Sequence, residues 1–253
     1  MILEEILART EERVARLGTD LSNSSLPPAR SLKNAIMSCT DRNAVIAEVK
    51  FASPSRGRIA PAEAGTPAAL AKEFVAAGAV GLSVLTEPSF FGGSTENLAS
   101  IREVTDVPLL RKDFIIDERQ LAETRLLGAD AVLLIARVLG GRLPAFVDTA
   151  LALGIEPLVE VHSREEMALA LQTRAGLIGI NNRNLRTLAV DLSTTPRLFA
   201  MAAGSGRVVV SESGILWPCD VRQLRGSCDA FLIGSAIMAS KNRRHRLEGF
   251  VYA

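Results

Sequence analysis

The sequence predicts an α/β fold, a single (β/α)₈ TIM barrel with an N-terminal helical extension, and three observations carry that expectation. The chain has 253 residues, and one such barrel takes about 250. Short apolar runs recur eight times with helix-like segments between them, the pattern of parallel strands joined by right-handed crossovers. No G-x-G-x-x-G follows the first run, which counts against an open dinucleotide-binding sheet.

The strands are expected at Ala44–Lys50, Val80–Glu87, Val107–Phe114, Asp130–Ala136, Glu156–Val161, Gly176–Asn181, Arg207–Ser213 and Asp229–Gly234. Their spacing of about 20 to 35 residues is that of one βα unit. Between them, Thr66–Gly78 has a Thr cap, Pro in the first turn and Gly after the end, which are helix start and stop signals. Ser163–Leu171 opens with the Ser-x-x-Glu form of a capping box. Gly128 in Gly-Ala-Asp, and the similar Gly78–Gly81 stretch, end a helix just before a strand. The first 43 residues hold an amphipathic helix, a linker over Ser22–Pro28 and a second short helix. They read as a cap (1–43) on the barrel (44–253), so the chain is expected to be one domain.

Composition narrows the function classes. Apolar residues make up 48% and charged residues 23%, as in soluble globular proteins. One Trp, one Tyr and nine Phe leave a mainly aliphatic core, which buried parallel strands favour. The net charge of +1 provides no overall field toward nucleic acid or membrane. Lys241, Arg243, Arg244 and Arg246 read as a solvated last helix, since cations suit a helix C-terminus. Cys39, Cys219 and Cys228 lack metal-ligand spacing and the chain has two histidines, so neither a zinc site nor a disulfide framework is expected. The N-terminus is amphipathic and acidic, unlike a signal peptide. No apolar run approaches the ~18 residues that span a bilayer, and a cytoplasmic protein is expected.

Barrel strands are apolar except where they reach the catalytic face at their C-terminal ends. Strand one ends Glu-Val-Lys, and period-2 alternation puts Glu48 and Lys50 on one inward face. They are either a structural ion pair or an anion-binding, acid–base pair. The following Phe51–Gly57 segment has the composition of a loop that folds over a ligand, or of a plain surface turn. Lys112 stands where strand three meets its loop, suited to a general acid or to a simple pair with Asp113 or Glu48. Glu160 ends strand five after four apolar residues. A buried unpaired carboxylate is costly, so it is a general base or part of a barrel-layer salt bridge. Asn181 and Arg183 meet at the end of strand six, where Arg suits fork-like carboxylate recognition and an Asn-rich turn is the alternative. Strands seven and eight end in Ser213-Gly214 and Gly234-Ser235, where N–H groups at a helix start make a phosphate cradle. Together these features point to acid–base chemistry on a phosphorylated, anionic organic substrate. They do not name the reaction.

The ordered segments IAEVKFASPSRG, LTEPSFFGGS, LLRKDFIID, PLVEVHS, IGINNRNL, SESGI and FLIGSAIM resemble the indole-3-glycerol-phosphate synthase family from about residue 44 to 240. Ser31–Ala35 extends the likeness into the cap. The resemblance implies a TIM barrel with a covering N-terminal extension. It implies conversion of 1-(2-carboxyphenylamino)-1-deoxyribulose 5-phosphate to indole-3-glycerol phosphate, with loss of carbon dioxide and water, in tryptophan biosynthesis. No cofactor and no metal are implied. By motif, Lys112 would protonate the substrate carbonyl and Glu160 would transfer protons at dehydration, with Glu48 beside it. Lys50 would hold the substrate carboxylate. Asn181, Arg183 and Glu212 would position the substrate, and Phe91, Phe114 and Leu185 would flank its ring. Ser53, Ser213, Gly214, Gly234 and Ser235 would bind the phosphate. One departure stands out: Phe51 occupies a place the family usually gives to a basic residue. Two other readings compete, a phosphoribosylanthranilate isomerase-like barrel and a non-catalytic phosphate-binding barrel. The first would use a Cys and an Asp where strand one here offers Glu48 and Lys50; the second would be favoured by loss of Lys112, Glu160 or Lys50, and all three are present.

Overall fold

The computed structural model describes residues 2–18, 27–54, 57–59 and 65–253. Eight parallel strands close into a barrel: β1 (Ala44–Val49), β2 (Gly81–Leu85), β3 (Leu109–Lys112), β4 (Ala131–Ile135), β5 (Glu156–Val161), β6 (Leu177–Asn181), β7 (Val208–Glu212) and β8 (Ala230–Ile233), with β8 pairing back to β1. Every expected strand is borne out, seven of them trimmed by one or two residues at an end and Glu156–Val161 as expected.

Alternation along the strands sorts the core into two shells. Val45, Ala47, Leu82, Val84, Val159 and Val161 face outward and pack under the helices. Inward, Ile46, Leu110, Leu158 and Val210 fill the barrel interior. One step up, the same odd-numbered strands present Glu48, Lys112, Glu160 and Glu212, all four held within the rim. Layers built from alternate strands are what closure of an eight-stranded barrel imposes.

The helix signals behave as read, with one difference of detail. Thr66 accepts from the Ala69 N–H with Pro67 behind it, and Gly78 closes the segment at φ +95°. Ser163 accepts from the Glu166 N–H at 3.2 Å, but Glu166 returns its bond to the N–H of His162 at 2.7 Å, not to the cap residue.

The N-terminal extension packs on both ends of the barrel. Helix α1 (Ile2–Val14) lies over the C-terminal rim, where Arg13 pairs with Asp113 at 2.7 Å and donates to the Thr86 carbonyl at 3.3 Å. Helix α2 (Leu32–Met37) plugs the opposite end. Ser31 caps it and donates to Glu156 at the start of β5 (2.6 Å), and the Lys33 N–H reaches the same carboxylate at 2.9 Å. Leu32 is fully buried, and a Cβ at Gly81 would lie 2.8 Å from its Cδ1. Glycine at the start of β2 therefore makes room for the plug. Of the expected linker Ser22–Pro28, only Pro27 and Pro28 fall within the described residues.

Two expectations are corrected. The basic cluster stands before and in the first turn of the last helix, Arg243–Val251, rather than at its C-terminus. The local dipole disfavours cations there, and neighbours offset it. Glu73 accepts the Arg244 backbone N–H at 3.0 Å, Glu248 pairs with Arg244 at 2.9 Å, and Arg246 stacks 4.3 Å from the Trp217 ring centroid. The segment after β1 is not a plain turn, because Ala52–Ser53 and Gly57–Arg58 pair as a short antiparallel ladder. Ser55 and Arg56 lie outside the described residues. No helix among the described residues is long and apolar enough to cross a membrane.

Leu32→Ala is expected to cost about 2–5 kcal/mol, the range for truncating a buried Leu that leaves a cavity. Urea denaturation followed by circular dichroism measures it, and a loss below about 1 kcal/mol would mean that α2 does not plug the barrel.

Candidate active site

The C-terminal rim holds a concave cleft lined by polar and apolar side chains from the strand ends, the loops and the first helix, the usual form of a small-molecule site. Its floor is the charged layer. Lys112 Nζ bonds to Glu212 Oε2 and stands 3.8 Å from both Glu48 Oε1 and Glu160 Oε2. Glu48 turns its other oxygen to Lys50 Nζ at 2.5 Å. The two lysines therefore share Glu48, and Lys112 is gripped by carboxylates from three other strands. Asp113 takes no part: it is bonded to Arg111, Arg13 and Thr86 on the outer side of the strand.

The electrostatics follow from burial and pairing. Burial opposes charge on Lys112, yet Glu212, Glu48 and Glu160 outweigh it and raise its pKa above the usual lysine range. Glu48 is also opposed by burial, but Lys50, Lys112 and the more distant Arg183 lower its pKa, so it is ionised. Glu212 goes the other way. Burial, reinforced by the charges of Glu160 and Glu48, raises its pKa despite Lys112, making it easier to protonate than an ordinary glutamate. Like charges crowded in one site separate in just this way.

Two glycines make this packing feasible. A Cβ at Gly179 would collide with Glu212 Oε1, and one at Gly234 would collide with Glu48 Oε2. The strand pattern alone gives Gly179 no role, which follows instead from the inward register that sets it beside Glu160.

The walls come from the loops. Glu87 accepts the N–H groups of Ser89, Phe90 and Phe91, winding Pro88–Phe91 into one helical turn that aims Phe91 inward. Phe91 and Phe114 lie with ring centroids 6.2 Å apart. After β6, Asn181 Oδ1 accepts the Arg183 N–H at 3.0 Å, and Arg183 donates to the Leu188 carbonyl at 2.9 Å, closing the turn that carries Leu185. Asn182, between the two residues singled out by sequence, is buried and ties β6 to β7 through the carbonyls of Glu212 and Ser213 at 3.0 and 3.1 Å. It thereby fixes Ser213, which adopts φ +64°, beside Gly214 at φ +83°.

Each residue singled out by sequence lines this cleft except Glu212, which lies fully buried beneath Lys112. The reading of Ser213-Gly214 as a helix start is corrected: the next helix begins only at Pro218, and the pair is instead a left-handed turn. Gly234-Ser235 does open a helix, of one turn. Sequence reasoning missed Ile2, Leu3 and Ile6 of α1, and Leu188, which also line the cleft. The apolar stripe of α1 was the available signal.

A closed (β/α)₈ barrel with ionised acid–base groups clustered at its C-terminal rim is the arrangement of TIM-barrel enzymes. The chain belongs to the indole-3-glycerol phosphate synthase family, whose model matches residues 2–250. Relatives named indole-3-glycerol phosphate synthase include that of Dechloromonas aromatica, 46% identical with 94% of each chain covered. That of Methanopyrus kandleri is 40% identical, covering 99% of this chain and 98% of its own. Among solved structures, a tryptophan synthase alpha chain from Legionella pneumophila superposes with TM-score 0.62 at 11% identity, over 86% of this chain and 94% of that one. KGPDC from Streptococcus mutans superposes with TM-score 0.58 at 17% identity, over 73% and 89%. These two likenesses speak for the barrel alone.

Gly179→Ala is expected to displace Glu212 and with it Lys112, lowering turnover about 10²-fold, as small misplacements of reacting groups do. Steady-state kinetics on a variant of native circular dichroism tests this, and an unchanged kcat would show that the glycine is not needed. Outside the cleft, burial opposes charge on Glu166, but bonds from His162 and Arg137 hold its pKa down at about 2, below the ordinary 4.5. Its contribution to stability is full above pH 4.5 and fades as pH falls toward 2. Glu166→Gln should therefore destabilise by about 1–3 kcal/mol at pH 7 after solvent screening. The gap in urea midpoints should narrow between pH 4.5 and 3, and a constant gap would contradict the assignment.

Proposed function

We propose that this chain closes the indole ring, converting 1-(2-carboxyphenylamino)-1-deoxyribulose 5-phosphate to indole-3-glycerol phosphate, carbon dioxide and water. The observation that carries the reading is Lys112 on the cleft floor, positively charged and gripped by three glutamates. A general acid needs a proton to give and a fixed direction in which to give it, and this arrangement supplies both.

In our reading Lys112 protonates the substrate carbonyl as the carboxyl-bearing ring carbon attacks it, and the new C–C bond closes the five-membered ring. Lys50 holds the substrate carboxylate and stabilises charge until that carboxylate leaves as carbon dioxide and the ring electrons return. Glu160 then moves protons as the hydroxyl departs as water, with Glu48 keeping both lysines in register. Glu212 supports Lys112 from below and offers its Oε1, which has no hydrogen-bond partner among the described residues, to a substrate hydroxyl. Asn181 and Arg183 orient the sugar chain and the carboxylate. Phe91, Phe114 and Leu185 flank the aromatic ring, with Ile2, Leu3 and Ile6 of α1 above it. Ser53, Ser213, Gly214, Gly234 and Ser235 bind the phosphate, the last pair at the start of a helical turn.

We further propose that residues 1–253 act as one barrel domain with residues 1–43 as its cap. The setting we assign is cytoplasmic tryptophan biosynthesis, with no nucleic-acid or membrane partner and no cofactor or metal. The isomerase reading gains no support, because none of the three cysteines lines the cleft.

Purified protein given the phosphorylated anthranilate adduct should develop indole fluorescence. A folded sample that binds the adduct and yields no indole product would overturn the assignment. Lys112→Ala should lower kcat by about 10²–10⁴-fold, the usual worth of one general acid, with KM little changed. An undiminished rate would move the acid role to Lys50.

A further inference from the structure

Behind Glu160, on the side away from the cleft, His162 stands between two carboxylates. Its Nδ1 hydrogen-bonds with Glu166 Oε2 at 3.2 Å, and its Nε2 lies 3.4 Å from Glu160 Oε1, at ion-pairing distance but outside hydrogen-bond geometry. The ring is buried, with a side-chain exposure of 5%. A neutral imidazole has one N–H and one acceptor nitrogen, so between two carboxylates it would turn a lone pair toward one of them. The imidazolium turns positive charge toward both.

The charged groups around the ring reinforce that state. Glu166 belongs to the helix Arg164–Leu171, and Arg137, from the short helix after β4, pairs with its other oxygen at 2.9 Å. Beyond Glu160 stands Lys112 of β3. The result is one chain of alternating charge: Arg137, Glu166, His162, Glu160, Lys112, Glu48, Lys50, each neighbour pair no more than 3.8 Å apart. It runs from a partly exposed arginine to the inner wall of the cleft.

We propose that His162 is a positioning residue for Glu160: its ring, anchored by Glu166, stands against Oε1 of that carboxylate and leaves Oε2 to face the reacting centre. This inference rests on the reading that Glu160 transfers protons. A purely structural role for His162 is the alternative, since its backbone N–H also caps onto Glu166 at 2.7 Å. The two differ in pH dependence. Burial opposes charge on His162, but the bond to Glu166 and the charges of Glu160 and Glu166 raise its pKa above the ordinary 6.5. The support it gives Glu160 is therefore present at low pH and lost as pH rises through that raised value.

The chain has two histidines, so their ring protons are resolved by NMR and assigned with His245→Gln. Three results are expected. The kcat of the unmodified protein falls on the alkaline side with a midpoint matching the His162 titration. Glu166→Gln lowers both midpoints together. His162→Asn loses that limb and turns over about ten-fold more slowly, the size of a one-unit shift in a neighbouring pKa. A His162→Asn variant with the original kcat and pH profile would overturn the proposal. If that variant fails to fold, a kinetic limb in Glu166→Gln that stays put while the NMR midpoint moves would do the same. Glu160→Gln separates the two readings. If it turns over normally, the role given to Glu160 is wrong; if it is impaired while His162→Asn is not, only the role of His162 falls.

Discussion

One lysine and three glutamates, each from a different odd-numbered strand, set the terms for the rest of this molecule. Lys112 is the hub: without it, Glu48, Glu160 and Glu212 would be three acidic groups in a nearly water-free layer, and at neutral pH some would have to take up protons. Without the glutamates, a buried ammonium would have its pKa lowered by burial alone. Each sign makes the other affordable to the fold. The balance extends outward, because Lys50 neutralises the far side of Glu48 and His162 the far side of Glu160. Glu212 pairs with Lys112 alone among the described residues, and its pKa is raised where that of Glu48 is lowered. The asymmetry gives these two identical side chains different protonation behaviour through position alone.

The outer shell holds this layer in place. Arg111, one residue before Lys112 and pointing the opposite way, is buried among Asp113, Glu123, Thr86, Thr124 and the carbonyl of Gln120. Such a network fixes the backbone of β3 on its helical side while Lys112 works on the other. Asp113 also receives Arg13 from α1. The helix over the cleft is thus fastened to the residue next to the central lysine, which ties the position of the cap to that of the catalytic face.

Much of this could be read from the sequence, for identifiable reasons. Strands survive as apolar runs because both faces of a parallel barrel strand are buried, and the site residues stand out because they interrupt those runs. The order of seven motifs then carried the family. What escaped lay in relationships between distant segments. The basic residues near the C-terminus could not be set at the right end of their helix without knowing that Glu73, Glu248 and Trp217 would meet them. Ser213-Gly214 looked like a helix start because composition does not distinguish an N-terminus from a left-handed turn. Gly179 gave no sign that it kept space for a carboxylate thirty-three residues later, because the collision it avoids exists only once β6 and β7 are side by side.

The extension acquires its meaning from the same charged layer. Electrostatic interactions strengthen as water is withdrawn, so a layer that works by holding charges in fixed relation gains from closure at both ends. Helix α2 seals the lower end with Leu32 and Ile36, beneath the aliphatic interior that underlies the glutamates. Helix α1 roofs part of the upper end with Ile2, Leu3 and Ile6, leaving the cleft as the way in. An eight-stranded barrel fills its own middle with side chains, but its two ends stay open to whatever the loops provide. Here a single N-terminal stretch supplies both closures, bonding to Glu156 below and to Asp113 above. The polar layer in between is left with one exposed side, the cleft that Lys50 and Lys112 line.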